Sequence, residues 1–410
     1  MEATVVAPAG EGVARDSTMA GNTGVTAPAG FSAAGIAAGL KKSGKKDLAL
    51  VVNTGPEAIA AGVFTRNKVH SAAVTVSRAA VADRETGVRA VIINSGNANA
   101  CTGAQGFADA QAMQAQTAHA LHLPPAAVAV CSTGLIGEPL DMGTVVAGIE
   151  SIVPQLDTTT KSGEDAATGI LTTDTCMKQA VYHGAGWTIG AMAKGVGMMA
   201  PSLATMLAVI TTDAQVDAAL LHDALAGVSN TTFNTVDIDG TTSTNDSVIA
   251  MANGASGTQP SAEEFTAALH AVCADLAQQL QGDAEGVTKV VDITVTGAAT
   301  DEQALEAARA VGRDNLFKCA MFGSDPNWGR VLAAVGMAPV DMDPGNIAVW
   351  FNGHQVCAHT TGVPGAREAD LSGAHIAVTI DLGAGGSGHA TVHTTDLSFN
   401  YVEINSAYAT

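Results

Sequence analysis

The chain has 410 residues, 47% of them apolar and only 14% charged, which is enough to bury a large core over two or three domains and argues against disorder. Asp and Glu (39) outnumber Lys and Arg (19) for a net charge of −20, and aromatic residues make up 4%, so neither a phosphate backbone nor stacked bases are expected partners. No apolar run reaches 18 residues and no basic stretch leads into an apolar core at the N-terminus; a soluble cytoplasmic protein with no membrane partner and no secretory leader is expected.

Residues 1–24, rich in Ala, Gly, Thr and Pro, read as a flexible tail. Strand-like runs follow at Leu48–Val52, Val88–Ile93 and Ala127–Val130, with a helix over Phe107–Leu121 stopped by Pro124 and Pro125. The Gly-, Thr- and Asp-rich stretch Asp157–Thr175 reads as a loop or linker, and strands resume at Trp187–Met192 and Met206–Ile210. Ser261 with Glu264 forms a capping box for a helix carrying Phe265, Leu269, Val272, Leu276 and Leu280 on one face. Thr300 with Gln303 opens another helix toward Lys318, after a strand at Val290–Val295. His375–Ile380 and His389–Val392 read as adjacent strands around Gly383–Gly388, which reads as a hairpin or β-turn. Strands and helices do not alternate as in a dinucleotide-binding fold, so the class is mixed α/β, with mixed sheets covered by helices.

Three glycine motifs suggest phosphate binding, and each lacks its context. Gly39 to Lys45 resembles a phosphate loop, but Lys46 stands where the metal-binding hydroxyl belongs and no preceding strand is read. Gly383 to Gly388 joins two strands, and Gly195-Val-Gly197 runs into Pro201 and a strand, so neither opens a helix. Cysteines 101, 131, 176, 273, 319 and 357 form no metal-ligand spacing and read as reduced thiols. No metal and no cofactor are expected, and Gly-x-Ser-x-Gly is missing.

What remains is a glycine-rich loop, Lys194-Gly-Val-Gly-Met-Met-Ala-Pro-Ser-Leu, that feeds into Ala204, Thr205 and a buried strand. By itself Thr205 reads as a β-branched residue opening that strand. A sharper chemistry is open to it if the Ala204–Thr205 bond is strained: the hydroxyl attacks the preceding carbonyl, and hydrolysis of the ester leaves an N-terminal Thr. The freed α-amine, with an ordinary pKa of about 7.7–8.0, is a base beside the hydroxyl that it activates.

Around this block the sequence resembles the ornithine acetyltransferase (glutamate N-acetyltransferase) family of arginine biosynthesis, from Gly24 to Thr410. The resemblance is carried by Lys194-Gly-x-Gly-Met, Ala204-Thr-Met-Leu and Thr211-Thr-Asp, together with Gly62–Asn67, Asn94–Gly103, Ser132–Gly137, Asp239–Asp246, Asp283–Lys289, Gly323–Arg330 and Tyr401–Thr410. It implies self-cleavage into 25–204 (alpha) and 205–410 (beta) chains sharing one helix–sheet–sheet–helix sandwich, with two copies of each chain. Thr205 would be the nucleophile, and Thr133 and Gly134 the oxyanion hole. Substrate contacts would fall on Thr172, Lys194, Thr205, Glu285, Asn405 and Thr410. The implied reaction moves an acetyl group from N2-acetylornithine to glutamate by a ping-pong route; some members also take acetyl-CoA. An amidase or aminopeptidase using the same Thr, with water as acceptor, is the rival enzyme. An uncut acidic scaffold is the non-enzymatic one.

Overall fold

Strands that are apolar on both faces need cover on both, and two sheets meet that need here by stacking. The computed structural model describes residues 24–200 and 206–407; the expected tail, the Ala204–Thr205 cleavage site and Thr410 lie outside the described residues, Gly24 excepted. The first sheet runs β1 (Phe31–Ile36), β2 (Leu48–Asn53), β4 (Ala90–Asn97), β5 (Val128–Leu135), with β4 and β5 parallel. In the second, β3 (Ile59–Phe64), β9 (Ser247–Ala252), β8 (Leu207–Thr212), β7 (Thr188–Lys194) and β6 (Lys178–His183) lie in that spatial order, with only β9 and β8 parallel among the four pairings.

Alternation along each strand sends one set of side chains between the sheets and the other to the helices. Ala49 and Val51 of β2, and Val91 and Ile93 of β4, meet Leu207 and Val209 of β8 and Ile249 and Met251 of β9 in a shared core. On the far side of the first sheet, Leu48, Leu50 and Ile92 pack on α1 (Ala72–Ala82), α2 (Gly103–Ala120) and α3 (Met142–Ile152). On the far side of the second, Ala208 and Ile210 pack on α5 (Ala218–Thr231) and α6 (Ala262–Gly282). The expected helix–sheet–sheet–helix sandwich is present, and the capping box at Ser261 and Glu264 opens α6.

A third sheet, not foreseen from sequence, follows. β10 (Val290–Ala298), β11 (Ala348–Phe351), β12 (His354–Ala358), β13 (Thr361–Gly362), β14 (His375–Asp381) and β15 (Gly388–Thr395) take the order β13-β12-β11-β14-β10-β15. One face packs on α7 (Asp301–Gly312), α8 (Asn315–Phe322) and α9 (Trp328–Val335), and the described chain ends in α10 (Phe399–Ala407).

Several local expectations change. β14 and β15 do not form a hairpin, because β10 lies between them, parallel to β14 and antiparallel to β15. The helix from Thr300 stops at Gly312: the Asp314 carboxylate accepts from the Phe317 N–H at 2.7 Å and starts a new helix. The supposed linker 157–175 holds α4 (Thr160–Gly169), whose Ala166 and Ala167 enter the inter-sheet core. A strand, β1, does precede Gly39, but the loop leads into β2 and offers no helix N-terminus.

Candidate active site

The site lies where β5 and β7 end. At the edge of β5, Gly134 has φ +130°, and a Cβ there would sit 2.3 Å from the backbone carbon of Gly96, itself at φ +107°. Only glycine satisfies both the conformation and the space. This close approach falls where Gly96 pairs with Gly134, next to the register shift at Asn97 that ends the regular β4–β5 ladder. Asn245 locks the corner from the second sheet, its Nδ2 donating to the carbonyls of Ala98 (2.6 Å) and Ser132 (2.8 Å). Asn94 is a buried residue of β4 that accepts from the Ser132 hydroxyl at 2.6 Å.

Lys194 closes β7 and is buried. Its Nζ donates to Thr172 Oγ1 at 2.7 Å and to Thr133 Oγ1 at 3.5 Å, with Asp174 at 3.7 Å. An ammonium can only donate, so the Thr133 hydroxyl keeps its own proton to give. Asp174 also accepts from Lys178 Nζ and the Gly195 N–H, both at 2.8 Å, and Lys178 pairs with Asp283 at 2.6 Å. Four charges of alternating sign thus run in line: Lys194, Asp174, Lys178, Asp283. Burial pushes the Lys194 ammonium below the ordinary lysine value against the pull of Asp174. Burial also works against ionisation of Asp174, but Lys194 and Lys178 outweigh it and hold its carboxyl well below the usual range.

Glu285 stands opposite, on the turn between α6 and β10. Its carboxylate accepts from Thr173 Oγ1 (2.8 Å) and from Asn405 Nδ2 (2.9 Å), which reaches in from α10. A Cβ at Gly197 would fall 2.5 Å from the Glu285 carboxylate, so this glycine gives the acid room. The Gly195–Ala200 loop is held by Asp239, which accepts from the N–H groups of Met198 (2.6 Å) and Met199 (2.9 Å).

Thr133, Gly134, Thr172, Lys194, Glu285 and Asn405, all singled out in the sequence, line one pocket. Ala204, Thr205 and Thr410 lie outside the described residues. Asp174, Lys178, Asp283 and Asn245 were not singled out as site residues. The one available signal was a lysine, Lys178, opening an otherwise strand-like stretch four residues after Asp174.

The ArgJ family profile matches residues 32–410. Similar relatives named arginine biosynthesis bifunctional protein ArgJ include that of Mycolicibacterium paratuberculosis, 57% identical over 393 residues that cover 94% of this chain and 96% of the relative. The protein of the same name from Thermobifida fusca is 50% identical over 386 residues, covering 94% of this chain and 100% of the relative. Among solved structures, a chain of ornithine acetyltransferase complexed with ornithine from Mycobacterium tuberculosis is 48% identical and matches with a TM-score of 0.43, over 45% of this chain and 97% of that one. By the extent of the family match and the identity of its relatives, this chain belongs to the ArgJ family.

Proposed function

We propose that the protein is a bifunctional acetyltransferase of arginine biosynthesis that moves the acetyl group of N2-acetylornithine to glutamate. The observation that carries the reading is the convergence, on one pocket, of an oxyanion-type pair (Thr133 and Gly134), a buried cation (Lys194) and an anion (Glu285). Two zwitterionic substrates require both signs of charge. The names of the full-length relatives agree with the pathway.

In this reading Thr205 is freed by scission after Ala204, and its α-amine takes the hydroxyl proton as Oγ attacks the acetyl carbonyl. The Thr133 hydroxyl and the Gly134 N–H donate to the resulting oxyanion, while Lys194 and Thr172 hold the substrate carboxylate and Glu285 with Asn405 its ammonium group. The α-ammonium returns the proton to the departing nitrogen, so ornithine leaves and an acetyl ester remains on Thr205. The glutamate amine then attacks that ester, giving N-acetylglutamate and restoring the hydroxyl. This order is ping-pong, and acetyl-CoA can load the same ester as a second donor. Thr410, at the C-terminus beyond α10, completes the substrate contacts. The enzyme works in the cytoplasm as chains 25–204 and 205–410, two copies of each, with 1–24 as a tail.

The test is the mass of the denatured protein together with turnover. The wild type should give a fragment beginning at Thr205 and require glutamate for turnover, and Thr205→Ala should be an uncut, inactive chain. Cleavage and turnover that persist in Thr205→Ala would remove the nucleophile from this scheme; ornithine release without glutamate would favour an amidase.

A further inference from the structure

The residue that opens the way into β8, Met206, is held by two consecutive residues of another segment. Its N–H donates to Asp246 Oδ1 at 3.2 Å, and its carbonyl accepts from the Ser247 N–H at 3.1 Å. The residue before these, Asn245, is the one that pins the Ala98 and Ser132 carbonyls beside Thr133 and Gly134. Residues 245–247 therefore form a strut, one end on the corner of the first sheet and the other on the backbone immediately after position 205.

Asp246 is an expensive choice for a purely structural post. It is fully buried, and its Oδ2 has no hydrogen-bond partner among the described residues. A buried polar atom left unpaired costs about 1–3 kcal/mol, which a small apolar residue with the same backbone would avoid. Burial pushes its carboxyl well above the ordinary range, against the hydrogen bonds from Met206 and Ser243 and the charge of Lys194.

We propose that Asp246 is a positioning residue for the acetyl-transfer reaction, fixing Met206 and so the placement of the adjoining nucleophile against Thr133 and Gly134. The proposal rests on the acetyl-Thr205 reading above. A misplacement of about 1 Å at a reacting group can lower turnover about 10²-fold.

The experiment compares wild type, Asp246→Asn, Asp246→Ala and Thr205→Ala as full-length chains, reading fragment masses, melting temperature, and kcat and KM for both substrates. Asp246→Ala should lose about 10²-fold in kcat, with KM little changed, and accumulate uncut chain. Asp246→Asn, neutral and with an oxygen still available to the Met206 N–H, should recover most of both. Should Asp246→Ala not fold, Asp246→Val, closer in size and without an acceptor, takes its place. Full kcat and complete cleavage in the Ala or Val variant would overturn the role, as would an Asn variant no better than Ala. So would a loss that follows only the unfolded fraction. Turnover by Thr205→Ala would instead sink the underlying reading, whatever the Asp246 variants do.

Discussion

The stacked pair of sheets and the third sheet solve burial differently. β2, β8 and β9 are buried at all six positions each, whereas β10 and β14 alternate between buried and partly exposed residues. With both faces covered, the sandwich can present polar chemistry only where its strands stop, and Thr133, Gly134 and Lys194 stand at such ends. The third sheet has an open face, and there Asp292 on β10 sits between His375 (2.7 Å) and His393 (2.6 Å) on the two flanking strands. It supplies the pocket only from its borders, through Glu285 just ahead of β10 and Asn405 after β15. The charge line in the sandwich is buried and compensated, whereas the Asp292 group on the open face of the third sheet is partly exposed.

The sharpest way to break that contrast is Asp174→Ala. It strands Lys178 and Lys194 in the sandwich without their shared counter-ion, and we expect a loss of about 3–5 kcal/mol in urea unfolding. Next comes Gly134→Ala, whose methyl group meets the Gly96 backbone; steady-state kinetics should show kcat down about 10²–10³-fold. On the third sheet the effects should shrink. Burial raises the Asp292 carboxyl pKa, but His393 and His375 outweigh it and bring the value from 3.8 down to about 2. A depressed acid stabilises above its unfolded pKa, so Asp292→Asn should cost about 2 kcal/mol near neutral pH. The gap between variant and wild type should close as pH falls from about 4 through about 2, followed by urea titration at each pH. Gly385→Ala makes the mildest comparison: Gly385 shares the left-handed region (φ +72°) but has nothing within 4 Å, so only conformational strain of about 1 kcal/mol is expected, with kcat unchanged.

Legibility in the sequence followed the same division. The runs that became β2, β4, β5, β7 and β8 were readable because cover on two faces leaves them continuously apolar, and α6 was readable from its capping box. β14 and β15 were also found, but their partner was not: the intervening strand, β10, arrives from more than seventy residues earlier, and no local pattern encodes that insertion. Asp157–Thr175 misled because α4 packs through small residues, Gly163, Ala166 and Ala167, where apolar periodicity is faint. At the site, the family motifs supplied Thr133, Gly134, Thr172, Lys194, Glu285 and Asn405. The charge line through Asp174, Lys178 and Asp283 joins residues over a hundred positions apart and becomes visible only in three dimensions.

The order of the second sheet bears on what a cut before β8 would do. Reading across it, β3 comes from before position 205, β9 and β8 from after it, and β7 and β6 from before it again. β8 pairs with β7 over six residue pairs, and β9 pairs with β3 over another six. The two pieces would be interleaved like shuffled cards, and pulling them apart would mean unzipping both of those ladders at once. Such a molecule is a natural split protein: separately made halves should be poor folders alone and should regain structure only by threading into each other.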